Sequence, residues 1–211
     1  MALEQYVRAS EELDLFLTIH GLKPASLIEV LATKEAKTYI EQYLSTHAPT
    51  WQWLEDYHPY SGGTAERNAA TVSVYGVGKN RQALEALANA HNFRDHGFAF
   101  GYPEDAVEAY CNGARGAYLV ELARARKAGV EIPSWVAYLT HVPAHLDIVG
   151  NRTSASSEQQ ARSYQALTRT LHPRLASRVE KELKDLLLPD EWHIGADGEY
   201  EYVDTSIAFK R

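Results

Sequence analysis

Internal disulfides are excluded at the outset. The 211 residues hold one cysteine, Cys111, and the compartment expected for such a chain is a reducing cytoplasm. Long apolar runs are missing too. The longest extend over a few residues, against the roughly 20 that a membrane helix needs, so no membrane span is expected. The opening stretch MALEQYVRASEELDLF is charged and amphipathic, without the cationic-then-apolar order of a secretory signal. Basic residues are in short supply. Twenty-one lysines and arginines against 28 acids leave a net charge of −7. That sign argues against a general grip on nucleic acid, which works by displacing counterions from phosphates. The strong zinc signatures, HExxH and paired CxxC, do not occur, and no repeat or linker divides the chain.

What is present is ordinary globular material. Hydrophobic residues at 45% and charged residues at 23% rule out disorder or a coiled coil over the whole length. A chain of this size buries roughly 70% of its unfolded surface, enough for a core without staples. The patterning predicts an α+β fold: one predominantly helical domain over 1–211, with a small central sheet and a C-terminal β-hairpin. Residues 1–56 read as a helical N-terminal part, 69–188 as an α/β core and 189–211 as the hairpin.

Leu13, Phe16, Leu17 and His20 form one helical stripe closed by Gly21, and Ala36, Tyr39, Ile40, Tyr43 and Leu44 form another. Ser26 to Leu31 offers a short helix between them. Ala69 to Tyr75 alternates and is β-branched, a strand. A helix carrying Leu84, Leu87, Ala88 and His91 follows. Phe98 to Phe100 suits a second strand, and Pro103 the first position of the next helix. Ser156 with Gln159, or Ser157 with Gln160, fits a capping box before a long helix, which is split near Pro173 from a last one holding Leu175, Val179 and Leu183. Asp197-Gly198 is a hairpin turn between Trp192–Ile194 and Tyr200–Tyr202.

Several segments carry candidate chemistry. Gly76-Val77-Gly78-Lys79-Asn80 joins strand to helix as phosphate-binding turns do, although it matches neither the Walker A spacing nor a dinucleotide turn. A plain strand-to-helix turn with Asn80 as N-cap is the favoured reading over anion binding, and Lys79 and Asn80 are the candidate ligand-binding residues. His141, His145 and Asp147 would suit a metal on a helix, but Pro143 breaks that helix, so no metal is assigned. His91, Asp95 and His96 gather before Gly101-Tyr102-Pro103, while the apolar stripe of its own helix favours a core or helix-end role for His91. Cys111 is expected as a buried, inert thiol, and Glu121, on an apolar stripe, must be paired, protonated or at the rim. Arg162, Arg169, Arg174, Arg178, Lys181 and Lys184 make a modest basic helical surface, read as a solvated face.

The run GYPEDAVEAY, through Gly101, Tyr102, Pro103, Ala106, Val107 and Tyr110, resembles the Gly-(Tyr/Phe)-Pro-x-x-Ala-Val-x-x-(Tyr/Phe) segment of an archaeal family of unknown function. The likeness covers about residues 72–112. It implies a cytoplasmic prokaryotic protein and no activity. Some members carry cysteine where Asp105 stands, so thiol chemistry does not transfer.

These features point to a small-molecule-binding protein or enzyme with a His/Asp/Tyr polar site. His141, placed by Pro143 at the end of an element, is the expected acid–base residue, because imidazole titrates near neutrality. Asp105 is expected to orient it and Tyr110 to donate a hydrogen bond. Tyr102 and Tyr138 are expected to wall the pocket. No cofactor follows from the sequence. The alternative is a non-catalytic interaction module using exposed members of the 13 tyrosines and four tryptophans. A homodimer is expected from the amphipathic helices and a hairpin edge.

Overall fold

Leu13, Leu15, Phe16 and Leu17 are all buried on one short helix, and their placement organises the molecule. The computed structural model describes residues 3–54, 72–112 and 117–185 and the strand pairs 193–194 and 200–201. In it α1 (Ala9–Ile19) lies between two layers: Leu15 packs with a three-stranded sheet, while Leu13, Phe16 and Leu17 join a helical cluster. A helix apolar around most of its girth belongs in such a place. The fold is α+β and mainly helical, as expected.

The sheet is antiparallel, in the order β1 (Ala25–Leu31), β3 (Val72–Gly78), β2 (Thr50–Trp53). Ala25 stands opposite Gly78 and Leu31 opposite Val72, while Trp53 stands opposite Tyr75. Ile28, Val30, Tyr75 and Val77 pack on α1 and on Ala36, Ile40 and Leu44 of α2 (Lys34–His47). The other face receives α3 (Arg81–Ala88). Its Leu84 and Leu87 sit over Gly76, where an added Cβ would stand 3.1 Å from Leu84 and 3.2 Å from Leu54.

Two of these strands correct the helical reading of residues 1–56. Ser26 to Leu31 alternates with period 2, Ile28 and Val30 facing one layer and Ala25 and Leu27 the other. A strand buried on both faces carries no polar alternation to distinguish it from a helix. Phe98 to Phe100 is the opposite correction: it closes α4 (Phe93–Ala99) and is no strand. Asn92 caps α4 by accepting from the Asp95 amide at 2.9 Å, and Gly97 lets Val107 of α5 (Glu104–Cys111) approach to where a Cβ would be 2.7 Å away. Pro103 stands just before the first residue of α5.

The helical layer gathers Leu122 and Ala125 of α6 (Ala117–Lys127), Trp135, Val136 and Tyr138 of a 3-10 helix (Ser134–Tyr138), Tyr164 of α7 (Ala155–Leu171), and Leu175 and Val179 of α8 (Pro173–Asp185). The split at Pro173 is present. His172 accepts from the Leu175 amide through Nδ1 and so starts α8. A small ladder pairs β4 (Leu146–Asp147) with β5 (Arg152–Thr153), and β6 (His193–Ile194) pairs antiparallel with β7 (Tyr200–Glu201) where the hairpin was expected. Ala69 to Thr71, Trp192, Asp197-Gly198 and Tyr202 lie outside the described residues. Among the described residues no helix is long and apolar enough to cross a membrane.

Candidate functional site

The GYP segment is held by its backbone. Gly101 follows α4 with φ of +74°, and a Cβ there would strike Pro24 Cδ at 2.4 Å, so only glycine lets the segment lie against the turn that leads into β1. Gln160 of α7 donates to the Gly101 carbonyl at 3.0 Å. Beneath this junction lies Lys23, its side chain fully enclosed. Its ammonium donates to Asp14 at 2.6 Å and stands 5.2 Å from the Tyr102 ring centre and 5.7 Å from that of Phe100. Burial pushes the Asp14 carboxyl up from its ordinary value, and the charge of Lys23 offsets only part of that.

On the other side of these rings is a cavity of about 380 Å³. Five aromatic rings line it: Phe93, Phe100, Tyr102, Tyr110 and Tyr118. Thr140, His141 and His96 supply polar wall groups. The Tyr102 and His141 rings lie 5.2 Å apart, and Phe93 meets Tyr110 edge-on at 5.6 Å. Tyr118 is pushed up to about 12, by burial first and then by Glu182, so its phenol is neutral at physiological pH.

His141 reaches the cavity with one nitrogen committed. Nε2 is 2.9 Å from Ser157 Oγ, and the buried Nδ1 has no hydrogen-bond partner. Burial first, and then the nearby charge of Lys23, lower its pKa to about 4, against a smaller opposite pull from Asp105. Asp105 touches different serines. Ser154 and Ser156 both donate to it, Ser156 at 2.9 Å. Burial raises this carboxyl, but the two hydroxyls and the Ala106 and Asp105 amides outweigh it, and the net shift is downward. The first turn of α7 therefore ties Asp105 and His141 into one polar frame.

Three of the expected site residues, His141, Tyr102 and Tyr110, thus line one cavity, and Asp105 acts on His141 through its charge. Asp105 does not orient the imidazole directly, because Ser157 holds Nε2. The serines do not form the expected capping box either: α7 starts at Ala155, and the Ser154 hydroxyl points to Asp105 in place of its own helix. Three expected residues fall elsewhere. Tyr138 is fully buried in the helical core and donates to Glu180 at 2.9 Å, so it walls no pocket. Asn80 accepts from the Ala83 amide at 2.9 Å as the N-cap of α3. Lys79 is exposed beside it, its amide donating to Pro24. An added Cβ at Gly78 would stand 2.7 Å from the Asn80 carbonyl oxygen, so this glycine serves close strand-to-helix packing.

The remaining candidates resolve simply. His91 is exposed past the end of α3, and His20 caps α1 against Phe16. His145 is exposed, while Asp147 is taken by Arg152 and the Gly150 amide. Among the described residues no three His, Cys, Asp or Glu side chains are gathered to hold a metal. Cys111 is half-buried. Glu121 pairs with Arg124. Lys23, Asp14, Thr140 and Ser157 were missed by sequence reasoning. The available signal was Asp14 within the apolar run LDLFL, since an acid buried there requires a partner. No family model, curated protein or solved structure matches this chain.

Proposed function

We propose that this protein binds a small organic molecule in the cavity between α4, α5 and residues 139–142, with His141 as its central polar contact. The observation that carries this reading is a ring-lined space of about 380 Å³ with His141 in its wall, an imidazole whose buried Nδ1 has no hydrogen-bond partner. Ligand sites are concave, mostly apolar and equipped with a few placed polar groups, at volumes of roughly 300–1,000 Å³. Binding fits better than acid–base catalysis by His141. A group titrating near 4 is a weak proton acceptor at neutral pH, where a general base works best near the operating pH. Enzymatic use of His141, with Asp105 and Tyr110, needs a ligand that restores its basicity.

The interaction-module reading has less to draw on. No tyrosine whose side chain is described is exposed, and of the tryptophans and phenylalanines so described only Trp53 and Phe98 are, each at 46%. The basic helical surface is largely neutralised by ion pairs, Arg162–Glu158, Arg169–Glu180, Arg174–Glu4, Arg178–Glu12 and Lys181–Asp185, which supports a solvated face over a nucleic-acid grip. A reducing cytoplasm stays the compartment that a lone cysteine fits best. A fragment screen by thermal shift tests the site. Ala106 is 2% exposed in the cavity wall, and Ala106→Leu fills the space. Fragments that raise the Tm of the wild type and lose that effect in Ala106→Leu support the reading; hits that stabilise both chains equally contradict it.

A further inference from the structure

The polar groups around the cavity narrow what it holds, given the reading that it is a ligand site. Thr140 Oγ1 and His141 Nδ1, on adjacent residues of one wall, are buried and without hydrogen-bond partners. A buried polar group ordinarily has such a partner, and a ligand that supplies one relieves the deficit. Behind Phe100 and Tyr102, two other wall residues, lies the ammonium of Lys23. It carries three N–H donors, one of which Asp14 accepts while the Phe100 and Tyr102 rings lie close by. Among the described residues no aspartate or glutamate lines the cavity. An aromatic cage for a cation would have neither the buried ammonium nor this lack of carboxylates. Of the two charges that act on His141, that of Lys23 outweighs that of Asp105, so the local field favours negative charge.

Ring faces recognise rings, and the volume lies near the lower end of the range for small-ligand sites, which suits one fused ring system and not a nucleotide. We propose that the cavity binds a planar aromatic carboxylate, its ring system packed among Phe100, Tyr102 and Tyr110 and its carboxylate accepting hydrogen bonds from Thr140 and His141 under the field of Lys23. In the bound tautomer Ser157 donates to Nε2, and Nδ1 carries the proton offered to the ligand. Charge-assisted bonds of this kind are about twice as strong as neutral ones, so a neutral isostere binds more weakly.

Calorimetric titration of the full chain with 2-naphthoate, 2-naphthamide and 2-naphthylmethylammonium separates the possibilities. Expected is tightest binding of the acid, about tenfold weaker binding of the amide and no measurable binding of the ammonium. Thr140→Val, nearly isosteric, is expected to lower affinity for the acid more than for the amide, and Ala106→Leu to abolish both. Lys23→Met removes the preference for the acid, and Thr140→Val keeps the test decisive if that chain fails to fold. Equal affinity for acid and amide, or tighter binding of the ammonium, overturns the carboxylate while leaving the ligand site standing. Binding of 2-naphthoate that survives Ala106→Leu places it outside the cavity and overturns the proposal. No binding of any of the three overturns both.

Discussion

Lys23 Nζ and the His141 ring each lie 5.2 Å from the centre of the Tyr102 ring, and each has a measurable consequence. An enclosed ammonium is tolerated only because Asp14 answers it; removing one partner strands the other in a poor solvent. Lys23→Met is expected to lower stability by about 3 kcal/mol in urea denaturation, and the double change Lys23→Met with Asp14→Leu to recover much of that. A loss in the double variant equal to that of Lys23→Met alone would show that packing, and not the stranded charge, sets the effect. His141 makes stability depend on pH. Its pKa in the folded chain is about 4, below the ordinary 6.5, so between these values the unfolded chain binds the extra proton. Its contribution is therefore complete above pH 6.5 and is lost as pH falls towards 4, by no more than about 3 kcal/mol. His141→Gln should flatten that part of the stability profile; an unchanged slope between pH 6.5 and 4 would mean that the imidazole is not held neutral by burial.

The positions of α4, α5 and α7 depend on a few contacts without which the cavity has no walls. Gly101 combines a left-handed backbone with direct contact on Pro24, so Gly101→Ala is expected to cost about 3 kcal/mol and to weaken ligand binding with it. A loss below about 0.5 kcal/mol, within the range of ordinary surface changes, would show that the junction can shift. Elements with one-sided patterns were legible in the sequence: α2, α3 and α8 follow their stripes, β3 its alternation, and the break at Pro173 its proline. β1 was not, because burial on both faces erases the alternation that marks a strand. In α4, Phe98-Ala-Phe100 copies a strand pattern within one helical turn, and only packing against α5 decides between them. His141, Tyr102 and Tyr110 could be found because an imidazole before a proline and a GYP turn are local signals. Lys23 and Ser157 could not, since their roles arise from partners 9 and 16 residues away.

At the level of the assembled chain, α1 joins the sheet and the helical layer into one body, and the cavity lies beside that junction, between elements drawn from distant parts of the sequence. Leu31 on β1 and Trp53 on β2 are exposed on the two edge strands of the sheet, and the homodimer expected from the sequence is a question for the mass in solution. Light scattering at high concentration should then give twice the 23.6 kDa chain mass, and a monomer mass would refute the pairing. The ligand site is tested most directly by amide chemical-shift mapping during titration with 2-naphthoate. Expected are saturable shifts concentrated in residues 97–110 and 139–142, with few changes around Trp53. Shifts confined to the exposed sheet edges, or none at saturating probe, would contradict a binding cavity built around His141.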